Sequence, residues 1–221
     1  MEDILNYIFR LLLMIPIAII SLSVHESAHG YVSYKLGDPT ARNLGRITLN
    51  PLKHFDLLGF ICMVFFRVGW AKPVPVNARY YKNPRVGMAL TAAAGPVSNL
   101  LLGVIGVFGG ELSLRWAYAV ITNAAALNVA MTFYNFFFLL AFCNISLAVF
   151  NLLPVPPFDG SRILYVFLPP KYYFGIMKYE KYIMIAVLVL FYIGVFDGPL
   201  SFIVNGIYDG MRRLVNLLLI F

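Results

Sequence analysis

Ile17-Ala18-Ile19-Ile20-Ser21-Leu22-Ser23-Val24-His25-Glu26-Ser27-Ala28-His29-Gly30-Tyr31-Val32-Ser33-Tyr34 is the stretch that decides the fold. It closes an apolar run that starts near Ile4, long enough to cross roughly 30 Å of hydrocarbon with some tilt. Two imidazoles and a carboxylate sit inside that run, where ionisable groups are costly and point to function. On a helix, residues four apart share a face, so His25 and His29 can offer two nitrogens to one metal ion. Glu26, one step on, projects near the same ion and can take a proton from a water activated there. This is the mechanical content of H-E-x-x-H, and it calls for Zn²⁺ with an open coordination position. The chain has three His and ten acidic residues in all, and two of the His lie in this motif.

Working outward, the composition is that of a membrane protein. The 221 residues are 61% hydrophobic and 12% charged, against about 45–50% and about 25% in ordinary globular domains. This predicts an all-α polytopic membrane protein of four to six transmembrane helices, folded as a single domain over residues 1–221. Its core is expected over 4–168, with a further span and an interfacial or fifth helix over 180–221. Glu2 and Asp3 at the start argue against a cleavable signal peptide. Cys62 and Cys143 have no metal-type spacing, which disfavours a disulfide framework or a cysteine zinc site. Nine of the seventeen basic residues fall between Lys35 and Arg85, opposed there only by Asp38 and Asp56. The positive-inside rule then puts that connection in the cytoplasm and the N-terminus outside. The charges flank spans instead of forming one solvated stripe, so nucleic acid is excluded as a partner.

Gly37-Asp38-Pro39 ends the first span. Residues 40–81 are rich in turn formers and hold an apolar run, Leu57–Phe66, too short to cross as a helix. A re-entrant or interfacial β-structured loop is expected between the first and second spans. Its prolines at 73 and 75 suit an extended edge over Val74–Asn77 that could accept another strand. Val86–Gly109 reads as the second span, with Ala94-Gly95-Pro96-Val97-Ser98-Asn99 offering close helix contact and a buried amide. Glu111–Asn123 reads as an outer interfacial helix. Ala124–Leu153 is too long for one straight span and is expected to start outside the bilayer or break near Asn128. Three prolines in Asn151-Leu152-Leu153-Pro154-Val155-Pro156-Pro157-Phe158-Asp159-Gly160 forbid regular helix and hold Asp159 just past a span, as a candidate third metal ligand. Gly160 permits the turn. Tyr182–Phe196 reads as a short span. In Leu200–Phe221 an interfacial amphipathic helix competes with a fifth crossing.

Taken in order, these motifs resemble the site-2 protease family of intramembrane zinc metalloproteases, in its small bacterial branch without PDZ or CBS modules. The resemblance rests on His25–Tyr31, Gly37–Ala41, Gly45–Asp56, Ala94–Asn99 and Asn151–Gly160, with Phe158 where leucine is commoner. It implies one Zn²⁺ per chain on His25, His29 and Asp159, with Glu26 as catalytic base. The substrates it implies are transmembrane proteins in the bilayer of a bacterial cell, cut in or beside their spans at a site facing the cytoplasm. Asn151 and Asn99 are candidates for holding the substrate backbone or the developing oxyanion. His54, with Asp56, either lines the site or orients a loop. A membrane partner or regulator is possible, and the oligomeric state is open. The competing readings are a catalytically silent zinc-binding membrane adaptor and a metal transporter; neither needs Glu26 beside the metal, and a transporter needs ligands repeated along a pathway.

Overall fold

The computed structural model describes residues 2–57, 59 and 71–219. Helix α1 (Glu2–Lys35) carries the metal motif in its second half. It stops at Gly37, whose φ of 107° suits a residue without a Cβ. After the short helix α2 (Thr40–Asn43) and a connection to Asn83, helix α3 (Pro84–Ala119) begins with Pro84 in its first turn, and the Asn83 side chain accepts the Val86 N–H at 3.3 Å. Asn123 caps α4 (Ala124–Asn151) in the same way, accepting from the Ala126 N–H at 3.1 Å. Shorter helices follow: α5 (Asp159–Leu164), α6 (Pro170–Met177) and α7 (Glu180–Tyr192), then the longer α8 (Asp197–Leu218).

Among the described residues three helices are long and apolar enough to cross a membrane: Leu11–Lys35, α3 and α4. Helices α7 and α8 qualify only as a pair bent by 83°, so the candidate spans there number three, or four if that pair is one broken crossing. The higher number meets the low end of the expected four to six. Glu111–Asn123 forms no separate interfacial helix, because α3 runs unbroken through 36 residues, about 54 Å, and overshoots the bilayer core. Helix α4 is likewise unbroken at Asn128. The end of the chain packs back on the bundle. Val204 and Val215 of α8 are buried against Ile145 and Val149, and against Val107 and Ala141. Arg212 Nε donates to the buried Glu111 carboxylate at 2.6 Å, which fastens α8 to the far half of α3.

Helices α3 and α4 pack most intimately, with Gly103 and Gly106 against Ile145 and Ala141. Without a hydrophobic force between helices in lipid, such close backbone approach is what holds spans together. Helix α1 lies antiparallel across α3: contacts move from His29–Thr91 to His25–Asn99 as one chain descends and the other climbs.

Among the described residues there is no strand, so the expected β-structured loop is not found there; residues 60–70, most of its apolar run, lie outside them. Residues 72–77 form no strand, and several of their main-chain groups are held by other parts of the protein. Lys72 N–H donates to the His54 carbonyl at 2.8 Å, and Arg46 Nη2 donates to the carbonyls of Lys72 and Pro73 at 2.7 and 3.2 Å. Val74 N–H donates to Glu26 Oε2 at 2.8 Å and Asn77 N–H to Asp38 Oδ2 at 2.7 Å. Proline at 73 and 75 removes two more donors.

Asp38 is the knot of this loop. Fully buried, it also accepts from Ser33 Oγ at 2.8 Å and from the Thr40 N–H at 2.9 Å. Burial works to raise its carboxyl, but the Asn77 N–H, the Thr40 hydroxyl and N–H and the Ser33 hydroxyl outweigh it and hold it below the ordinary carboxylate range. A depressed folded value stabilises above the unfolded value of about 3.9, and that contribution is lost as pH falls through the folded value. Asp38→Asn is therefore expected to speed hydrogen exchange at Asn77 at neutral pH. The difference from wild type should close in acid; equal exchange at pH 7 would remove Asp38 as the anchor of residues 72–77.

Candidate active site

The two turns of α1 that carry His25 and His29 face α3. His25 Nδ1 lies 2.5 Å from Asn99 Oδ1, and His29 Nδ1 lies 2.7 Å from the Thr91 carbonyl oxygen. A carbonyl oxygen can only accept, so His29 carries a proton on Nδ1, and in the neutral ring Nε2 is the nitrogen left free to bind a metal. Both Nε2 atoms turn towards one another, 3.0 Å apart. Asp159 Oδ2, from the first turn of α5, joins them at 3.1 Å from His25 and 3.2 Å from His29.

This triangle tests whether a metal fits. Asp159 Oδ2 is buried and has no hydrogen-bond donor. Beside it are nitrogens whose lone pairs point the same way, an arrangement that is repulsive unless a cation stands among them. Tetrahedral ligand atoms about 2.0–2.1 Å from a zinc ion are about 3.3 Å from one another, close to the observed spacing. Two imidazoles and one carboxylate are a donor set for zinc with a fourth position left open. These three residues are the one such group among the described residues.

Two glycines permit the convergence. A Cβ on Gly95 would lie 2.5 Å from His29 Nε2 and 2.6 Å from His25 Nε2, so α3 can approach the ligands only where it has no side chain. A Cβ on Gly160 would meet the Leu152 carbonyl oxygen at 2.3 Å. Gly160 thus serves close approach of α5 to the end of α4, beyond the turn expected of it, and this contact delivers Asp159.

A cleft of about 140 Å³ opens on the cluster, lined among others by Glu26, Val74, Asn151, Asp159 and Arg162. Glu26 is half-buried, and the Val74 N–H fixes one of its carboxylate oxygens. Asn151 lines the cleft while its Nδ2 donates back to the Leu147 carbonyl at 2.9 Å. Asn99 does not reach the cleft. It has no exposed surface and its oxygen meets the far side of His25, so its place is behind a ligand and not against a substrate. His54 is also buried away from the cleft; its Nε2 bonds the Thr48 carbonyl at 2.8 Å, which is the loop-orienting alternative. Thr91 and Val74 were not legible as site residues because they act through main-chain atoms. Arg162 carried only its place two residues beyond Asp159-Gly160.

A family model described as Peptidase family M50 matches residues 13–194. The chain belongs to that family. It is 45% identical over 173 residues to a Bacillus subtilis protein named "Putative zinc metalloprotease YwhC", covering 78% of this chain and 77% of the relative. It is 26% identical over 197 residues to "Putative zinc metalloprotease Rip2" of Mycobacterium tuberculosis, covering 86% and 71%. "Zinc metalloprotease MJ0392" of Methanocaldococcus jannaschii is 26% identical over 176 residues, which are 80% of this chain but 39% of that protein. No solved structure matches. Membership in this membrane protease family together with the apolar helices makes the chain an integral membrane zinc metalloprotease of the M50 family.

Gly95→Ala is expected to drop bound zinc from about one per chain towards zero, by elemental analysis of purified protein. Gly175→Ala, where a Cβ meets open space, should leave it unchanged. Full zinc in Gly95→Ala would mean the ligands lie elsewhere.

Proposed function

We propose that this protein is an intramembrane endopeptidase that hydrolyses peptide bonds in or next to transmembrane segments, with His25, His29 and Asp159 as zinc ligands and Glu26 as general base. The observation that carries it is the meeting of His25, His29 and Asp159 at the floor of a cleft that Glu26 also lines. When bound there, zinc supplies a Lewis acid that makes water a nucleophile at neutral pH and polarises the scissile carbonyl. Glu26 removes the proton from the attacking water as the new C–O bond forms. It then delivers that proton to the leaving nitrogen as the C–N bond breaks, and is restored. The Val74 N–H holds one carboxylate oxygen and leaves the other to move the proton. Asn151, whose amide nitrogen is engaged by Leu147, has its oxygen available to a substrate N–H in the cleft.

The substrate must present an unwound stretch, because a transmembrane helix closes its carbonyls in internal hydrogen bonds. The excess of basic residues in the connection between α1 and α3 supports a site facing the cytoplasm with the N-terminus outside, and the Bacillus and Mycobacterium relatives support a bacterial cell membrane. A transporter needs further ligand groups along a route, and none occurs among the described residues.

The test pairs metal content with turnover of a single-span membrane protein reporter in detergent. Glu26→Gln is expected to keep about one zinc per chain and to lose turnover by roughly 10²–10⁴-fold. Asp159→Ala should lose both. Zinc held equally by Asp159→Ala, or turnover surviving in Glu26→Gln, would refute the assignment; a wild type that binds zinc yet cuts nothing would favour the silent adaptor.

A further inference from the structure

Behind His25 lies a chain of hydrogen bonds whose direction is not free. Ser21 Oγ meets the Ile17 carbonyl at 2.7 Å, and because a carbonyl only accepts, the hydroxyl proton points there. Its lone pairs then face Asn144 Nδ2 at 2.8 Å, and the same nitrogen donates to the Leu140 carbonyl at 2.9 Å. Two acceptors on one side fix the Asn144 amide, so its oxygen looks at Asn99. Asn99 Nδ2 donates to that oxygen at 2.8 Å and to the Ser21 carbonyl at 3.3 Å. The Asn99 oxygen is left for His25 Nδ1, which must carry the proton. Main-chain carbonyls of α1 and α4 thus decide, through two amides, that His25 Nε2 is a bare lone pair.

Ser21, Asn99 and Asn144 are fully buried, one each in α1, α3 and α4, so neither amide can turn over without setting an acceptor against an acceptor. For a buried ligand this matters: an imidazole in the other tautomer would present N–H to the cation position.

We propose that Asn144 is a positioning residue of the metal site: by fixing the Asn99 amide it sets the His25 tautomer that binds zinc. The inference rests on the ligand assignment proposed above. Sequence alone gave Asn144 no role, since it lies in the apolar α4 with nothing around it to mark it. The competing role is interhelical adhesion, which polar side chains commonly supply in membranes.

The chain has only three histidines, so ¹⁵N-histidine NMR of the metal-free protein can read each ring, and chelator competition gives the zinc Kd. Asn144→Leu is expected to turn His25 from a pure Nδ1–H form into a mixture while His29, held by the Thr91 carbonyl, stays as it was. Zinc affinity should fall about 3- to 10-fold, less than the roughly 10- to 100-fold typical of a group that touches a ligand directly. Asn144→Asp in its protonated form, expected of a carboxyl buried there, can donate its hydroxyl to the Leu140 carbonyl and keep a carbonyl oxygen towards Asn99, and should restore both readings. Should the leucine variant not fold, Asn144→Ser serves: its hydroxyl bonds back to the Leu140 carbonyl and leaves Asn99 without its acceptor. A pure Nδ1–H His25 in that variant or in Asn144→Leu, with zinc affinity within twofold of wild type, would reduce Asn144 to adhesion. Wild-type protein that binds no zinc is a different failure, read before any variant, and overturns the ligand assignment itself.

Discussion

Three metal-binding atoms, His25 Nε2, His29 Nε2 and Asp159 Oδ2, are held within 3.2 Å of one another, the two imidazoles on an apolar helix. That convergence is the constraint on which the rest depends. It is unfavourable in a bare protein and becomes favourable only around a cation, so the surrounding fold has to enforce it. Much of the architecture can be understood as that enforcement. Helix α3 crosses α1 at Gly95, where any side chain would occupy the ligand atoms, and α5 abuts the end of α4 at Gly160. Each imidazole is gripped from behind, one by a side-chain amide and one by a main-chain carbonyl. Orientation and tautomer are therefore decided before metal arrives.

The membrane makes the same demand on every other polar group. Water is not there to satisfy a stray donor, so each one has to find a partner inside the protein. Ser21 and Ser23 turn their hydroxyls to carbonyls one turn earlier in α1. On the loop side, Ser33, Tyr81 and Thr91 form a chain of hydroxyls that ends on α3, next to the carbonyl that orients His29. In the connection between α1 and α3, Arg46, Asp38 and Glu26 take up N–H and C=O groups of non-helical backbone. The segment over residues 72–77 behaves as a strap sewn to the protein.

What the sequence revealed follows from which interactions are local. His25, Glu26 and His29 share one helix, and their spacing states their geometry. Asp159 stood out because a proline-stiffened stretch has few reasons to end on a carboxylate near a span. The converse cases all depend on tertiary approach. Asn99 was legible as a buried amide but not as a support for His25, since that needs the crossing at Gly95. Thr91 and Val74 contribute main-chain atoms, which leave no trace in residue type. The end of α3 was misread for a related reason: Glu111 looks like an interruption in isolation, but it is neutralised by Arg212 from the end of the chain.

The same view connects Glu26 to the loop. A general base needs one oxygen held and one free, and here the hold comes from the Val74 N–H in place of a side chain. A main-chain donor keeps its position only as well as its strap does. That strap is tied at Lys72 and Pro73 by Arg46, and at Asn77 by Asp38, which is itself knotted to the end of α1 through Ser33. In the proposed mechanism, then, the orientation of the base and the orientation of the ligands are set by two separate systems. One runs through the bundle by way of Asn99 and α3, and the other runs through the loop. A disturbance of the loop can misalign Glu26 while leaving the metal donors in register, whereas a change in helix packing reaches the ligands first. Turnover and zinc affinity are thereby separable properties of this fold, even though their residues are neighbours on a single turn of α1.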